Sequence, residues 1–180
     1  MKLDQFDNHS FSRGRSVFIE GLWRLFEGVL INSWLPGSAW RVWLLRWFGA
    51  EIGRRVTIKP HVRIKFPWKL KIGDSTWIGE SVWIDNLAEV TIGDNCCISQ
   101  GVYLCTGNHR WDSDHFDLAV SPITIREQCW IGACSKVAPG VVCEPGSVLT
   151  MGSLAATHLE AWQVYSGFPA TKVTQRVEKA

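Results

Sequence analysis

Residues 72–98 read IGDSTW IGESVW IDNLAEVT IGDNCC I, and their spacing decides the fold. Isoleucine returns after six residues at Ile72, Ile78 and Ile84, and again at Ile92 and Ile98. Outward from there the row runs back to Ile52, Ile58 and Ile64 and on to Leu104, Ile125, Ile131, Val137, Cys143 and Leu149. The fourth residue after each is usually small or β-branched: Val56, Val62, Thr76, Val82, Ala88, Cys96, Val102, Cys129, Ser135, Val141, Ser147 and Ser153. Glycine follows the aliphatic residue at Gly53, Gly73, Gly79, Gly93 and Gly132. A period of six fits neither a helix, at about 3.6, nor a two-sided strand, at about 2. It fits a prism with three flat faces. Each hexad is a short strand and a corner, the aliphatic side chain points to the axis, and glycine eases the corner.

Three hexads make one coil of eighteen residues, and the breaks respect that count. The steps Ile64→Ile72 and Ile84→Ile92 are eight, and Leu104→Ile125 is 21, fifteen beyond a hexad. All the extra length falls at one corner of the prism. The longest insertion begins TGNHRWDSDHF and carries His109, Asp112, Asp114 and His115. Leu104 and Asn108 keep the repeat, so His109 leaves the scaffold from a rigid anchor, while His115 sits farther out.

The remaining composition bounds the function. A chain of 180 residues, 46% hydrophobic and 20% charged, is one globular domain with appendages. A net charge of +2 implies no large basic surface, so nucleic acid is not an expected partner. No apolar run reaches the ~18 residues of a spanning helix. Residues 1–16 lack the apolar core of a secretory signal, so a cytoplasmic location is expected. Six cysteines form no CxxC pair, and Cys96, Cys129 and Cys143 occupy inward slots where a thiol serves as a compact apolar group.

Residues 1–50 form an N-terminal amphipathic segment. Within it, Ile19, Leu22, Trp23, Phe26, Val29 and Leu30 fall on one helical face. Ser38 is placed to cap a second helix through Phe48, ended by Gly49. Such helices can close the open end of a solenoid. They can also lie on a membrane through residues 16–48, with tryptophan at the interface and Arg24, Arg41 and Arg46 near head groups. Residues 51–155 are the solenoid, and residues 156–180 leave the repeat.

The hexads resemble the hexapeptide-repeat family, and the fold this implies is an all-β solenoid, a left-handed parallel β-helix with a loop extruded at about residues 105–124. "TGNH", "PITI" and "CWIG" are similar to the sugar and galactoside O-acetyltransferases. "WRVWLLRWFGAEIG", "FPWKLKIGD", "ISQGVYLCTGNH", "PITI" and "APGV" resemble the acetyltransferases of colanic-acid-type exopolysaccharide synthesis, along nearly the whole chain. The resemblance implies an acetyl-CoA-dependent sugar O-acetyltransferase with no metal. It implies His109 as catalytic base, a residue type suited to proton transfer at neutral pH.

By the same resemblance, Asp85 or its neighbour Asn86 positions the acceptor hydroxyl, and His115 assists as a loop contact. Coenzyme A meets Trp130, Ala133 and Met151. The amide of Ala133 serves as oxyanion donor. Thr157 and Lys172 stand near two further cofactor motifs from which this chain departs, so the nucleotide phosphates are assigned to Lys172 or Arg176. The implied partners are a sugar, nucleotide-sugar or lipid-linked oligosaccharide and two further copies of the chain in a homotrimer. Two other readings stay open. One is a non-catalytic scaffold for polysaccharide assembly. The other is a γ-type carbonic anhydrase, for which the histidines His9, His61, His109, His115 and His158 supply an incomplete set.

Overall fold

The computed structural model describes residues 3–7 and 11–177; His9 and residues 178–180 lie outside them. Each hexad folds as a strand of two or three residues and a turn, and strands one coil apart pair in parallel. The first face stacks Glu51–Ile52, Leu70–Ile72, Val90–Ile92, Ile123–Ile125 and Val142–Cys143. The second stacks Thr57–Ile58, Trp77–Ile78, Cys97–Ile98, Trp130–Ile131 and Val148–Leu149. The third stacks Arg63–Ile64, Trp83–Asp85, Tyr103–Cys105, Lys136–Val137 and Leu154–Ala155. The aliphatic rows lie in register, Ile58 on Ile78 on Ile98 on Ile131 on Leu149, and all of them are buried. Burial of each such side chain contributes about 1.5–3 kcal/mol.

Glycine serves close approach at these corners, not a reversal of the backbone. Left-handed backbone falls two residues after Gly73, at Ser75 with φ 56°. Gly73 donates its N–H to Ile92 O, and Gly79 to Ile98 O, each at 2.7 Å. A Cβ on Gly79 would stand 2.5 Å from the amide nitrogen of Gln100.

The small-residue row has one exception. Ala88 is only half buried, and the inserted residues put Asn86 inside instead, fully buried. Its Nδ2 donates to Phe66 O (2.7 Å) and Lys69 O (3.1 Å), and its Oδ1 accepts from Phe66 N (2.9 Å). Asn86 thus ties the corner of one coil to the one before it, and its amide is fully engaged there.

Two helices close the first end, α1 (Val17–Phe26) and α2 (Ala39–Trp47). After α1 the chain widens into a π turn, Glu27–Ile31. That turn rotates the buried stripe, so Ile31 goes inside and Val29 is exposed, against the strict helical spacing. The helices satisfy the open edge of the first coil with side chains. Trp23 Nε1 donates to Ile64 O (2.8 Å), and Glu27 Oε1 accepts from Ile64 N (3.0 Å). Burial raises the Glu27 carboxyl above the usual range, against the lowering pull of that amide. Ser38 sits at the N-cap of α2 and its carbonyl accepts from Val42 N, but its hydroxyl makes no capping bond; it accepts from Ile58 N (2.6 Å) and donates to Val56 O (3.3 Å), stapling the helix to the solenoid.

Two of the three arginines expected near lipid head groups, Arg41 and Arg46, are spent on the fold, while Arg24 stays half exposed. Arg41 is fully buried and donates to the carbonyls of Ile31, Ser33, Gly37 and Leu35. Arg46 donates to Ile52 O and Gly53 O. No helix among the described residues is long and apolar enough to cross a membrane.

At the other end the solenoid runs past residue 155. Leu159 bridges Cys143, and Tyr165 pairs with Leu149, both buried. Strand Gln163–Gly167 then turns back as a hairpin with Ala170–Gln175.

The close approach of coils makes a paired prediction. Gly79→Ala lowers unfolding free energy by about 1–3 kcal/mol through overpacking. Gly21→Ala, on open surface of α1, is neutral or raises stability by up to about 1 kcal/mol. Urea midpoints of the two variants check the contrast.

Candidate active site

The long insertion is not an irregular loop. Gly107–His109 pairs antiparallel with Leu118–Val120, and residues 110–117 form the tip. The hairpin springs from the corner between the third and first faces, as the periodicity requires. Asp112 pairs with Arg110 at 3.2 Å, and Ser113 donates to Asp117 (2.6 Å), both within this tip. His115 is exposed there.

His109 is held on three sides. Its Nδ1 lies 2.8 Å from the Phe116 carbonyl, an acceptor only, so Nδ1 carries the proton and donates. The neutral ring then presents Nε2 as a lone pair. The imidazole stacks on Phe116 at 3.9 Å and 5°, and Phe6 meets it edge-on at 5.5 Å. His109 opens on a cavity of about 270 Å³ also lined by Phe6, Phe11, Arg13, Arg24 and Lys65. A second cavity of about 520 Å³ continues along Phe11, Lys69, Leu87 and Leu118.

The N-terminal arm in this wall escaped the periodicity. Trp68 Nε1 donates to Arg13 O (2.6 Å) and Lys69 Nζ to Ser12 O (2.8 Å), pinning the arm beside the corner. Two phenylalanines in an otherwise polar stretch were the signal available.

Asp85 stands one coil below, partly buried, between Lys65 Nζ (2.9 Å) and Tyr103 OH, which donates to it at 3.1 Å. Lys65 joins this pair to the His109 cavity.

The residues assigned to coenzyme A lie elsewhere on the chain. Trp130 is half exposed on the second face, and its Nε1 donates to Ser99 Oγ (3.0 Å). Ala133 and Met151 stack in successive coils at the corner between second and third faces. Gly152 N donates to Ala133 O there, and the Met151 side chain is exposed. Thr157 is exposed at a different corner, between third and first faces. Lys172 lies on the terminal hairpin and pairs with Glu160 at 2.8 Å. Arg176 is committed to the Gln128 and Gly146 carbonyls. The structure therefore groups Trp130, Ala133 and Met151, separates them from His109 by the third face, puts Lys172 three strands further along the same sheet as Trp130, and leaves Thr157 at another corner. Among the described residues no group of three His, Cys, Asp or Glu is placed to hold a metal.

No family model matches the chain. It is 41% identical over 170 residues to the colanic acid biosynthesis acetyltransferase WcaF of Escherichia coli, covering 93% of this chain and 92% of that protein. The chain belongs to the hexapeptide-repeat acetyltransferases. Galactoside O-acetyltransferase of E. coli is 26% identical over 135 residues, covering 73% of this chain and 66% of that protein. The hexapeptide-repeat acetyltransferase VCA0836 of Vibrio cholerae superposes with a TM-score of 0.81 at 25% identity, over 91% of this chain and 95% of that one. A second structure of VCA0836 holds acetyl coenzyme A, with a TM-score of 0.79 at 25% identity, over 89% of this chain and 87% of that one. The left-handed parallel β-helix of the family is the fold of this chain.

The His109 geometry makes a direct prediction for this acetyltransferase. Long-range ¹H–¹⁵N spectra of the neutral ring show the Nδ1–H tautomer. An Nε2–H tautomer would contradict the Phe116 hydrogen bond.

Proposed function

We propose that this acetyltransferase moves the acetyl group of acetyl-CoA to a hydroxyl of a sugar or exopolysaccharide precursor, with His109 as general base. The observation that carries this reading is the hydrogen bond from His109 Nδ1 to the Phe116 carbonyl, which leaves Nε2 as the unprotonated ring nitrogen of a residue that lines a cavity. Nε2 takes the proton of the acceptor hydroxyl as its oxygen attacks the thioester carbon. The same proton then passes to the departing thiolate, so the base is restored. Asp85 offers carboxylate oxygens that orient the acceptor, held by Lys65 and Tyr103. His115, on the hairpin tip, serves at most as an outer contact.

The donor side follows from the separation of the two groups. Trp130 and Met151 leave exposed apolar surface suited to the pantetheine arm. The Ala133 N–H has no partner among the described residues, so it is available to the tetrahedral oxyanion. Because these groups and His109 face different sides of one chain, a complete site draws His109 from one chain and Trp130 from its neighbour. A closed threefold trimer supplies that arrangement. Thr157 and Lys172 contact the nucleotide end only from its periphery, and Lys172 does so by exchanging Glu160 for a phosphate.

The name of WcaF supports an acceptor from exopolysaccharide synthesis. A lipid-linked acceptor fits the exposed Phe18, Trp34, Trp43 and Trp47 on the helical cap, which offer an apolar surface to a membrane face.

Three outcomes test these statements. His109→Ala lowers kcat for thiol release with acceptor present by about 10²–10⁴-fold, whereas His115→Ala changes it far less; equal rates for wild type and His109→Ala would end the histidine mechanism. Sedimentation gives a single species of three times the chain mass, and a stable active monomer would contradict the shared site. Wild-type protein floats with vesicles of mixed anionic lipid and Trp43→Glu/Trp47→Glu does not; equal flotation removes the membrane contact.

A further inference from the structure

Two arginines share one carboxylate beside His109. Glu20, only 8% exposed, meets Arg13 Nη1 through Oε2 at 2.8 Å and Arg24 Nη2 through Oε1 at 3.5 Å. Both guanidinium side chains stay about half exposed. Arg13, Arg24, Glu20 and Lys65 all line the cavity on which His109 opens. Lys65 is balanced by Asp85. These five groups sum to three cations against two carboxylates, and the Glu27 carboxyl acts on Arg24 from the π turn behind it.

A neutral sugar does not need that arrangement. Each guanidinium has five N–H donors in a planar fork, and one carboxylate cannot satisfy two such forks. A negative group arriving with the acceptor would occupy the N–H donors that Glu20 leaves free.

We infer that the His109 cavity selects an acceptor bearing an oxyanion, a phosphate or carboxylate attached to the sugar, held by Arg13 and Arg24. Glu20 is the positioning residue that keeps both guanidiniums at the cavity wall. Forked Arg–oxyanion pairs are among the stronger charge-assisted hydrogen bonds, and they fix orientation as well as affinity. The inference rests on the reading of this cavity as the acceptor site.

Calorimetric titration of the full chain loaded with coenzyme A tests it without turnover. The probes are the 1-phosphates, nucleoside diphosphate derivatives and methyl glycosides of glucose, galactose, mannose and fucose, with glucuronate as the carboxylate arm. At least one anionic probe binds about tenfold or more tightly than its neutral counterpart. That preference shrinks several-fold between about 50 and about 500 mM NaCl, because the guanidiniums are solvent-accessible. It is lost in Arg13→Gln/Arg24→Gln protein, with Arg13→Gln alone and the salt series deciding if the double variant does not fold.

No anionic preference in any sugar series, a preference indifferent to salt, or one that survives loss of both guanidiniums would overturn the inference. The strongest-binding probe distinguishes phosphate from carboxylate. Anion-selective binding without acetyl transfer to any bound probe would sink the transferase reading of the cavity while leaving the clamp in place.

Discussion

The structure depends on how closely one coil lies on the next. Gly53, Gly73, Gly79, Gly93 and Gly132 each donate their N–H to an aliphatic residue's carbonyl in the following coil at 2.7 Å. At Gly53, Gly73, Gly79, Gly93 and Gly132 a Cβ would come within 2.8 Å of backbone in that coil. This contact holds the coils in register, and register stacks the aliphatic rows into a continuous core. It also forces any added residues outward at a corner. The hairpin that carries His109 is the largest of those additions, so its placement follows from the same constraint that builds the wall.

Side-chain hydrogen bonds finish what backbone pairing leaves open. The first coil has no coil before it, and Trp23, Glu27, Ser38 and Arg46 meet its exposed carbonyls and amides. Asn86 does the same work at an inserted corner. The buried thiol of Cys143 shows the opposite case, an inward slot with little polar demand, where burial pushes the thiol up. Asn86 marks an interrupted corner, whereas Thr76 and Ser135, buried in unbroken hexads, donate their hydroxyls to the carbonyls of Gly93 and Thr150 in the next coil.

Much of this was legible in the residues because the period is a covalent property of the chain. The inner row from Ile52 to Leu149 and the single corner for insertions both follow from counting. What counting missed lies outside the repeat. The π turn exchanged Val29 for Ile31, and Arg41 turned from surface cation to buried donor, because tertiary packing of the cap decides both. Asn86 entered the core because two added residues shifted the small-residue slot. The arm bearing Phe6, Phe11 and Arg13 has no period at all; contacts with Trp68 and Lys69 place it beside His109. Of the candidate site, the position of His109 was readable, whereas its partners were not.

The central claim is that one complete site needs two chains, because the third face stands between His109 and the Trp130 group. Subunit mixing tests it most directly. His109→Ala and Trp130→Asp chains, each inactive alone, are unfolded together, refolded and assayed for acetyl transfer. Random threefold assembly from equal amounts gives about a quarter of the sites both intact halves, and so about a quarter of wild-type activity. A mixture no more active than its separate parts would show that each chain works alone, and would contradict the account.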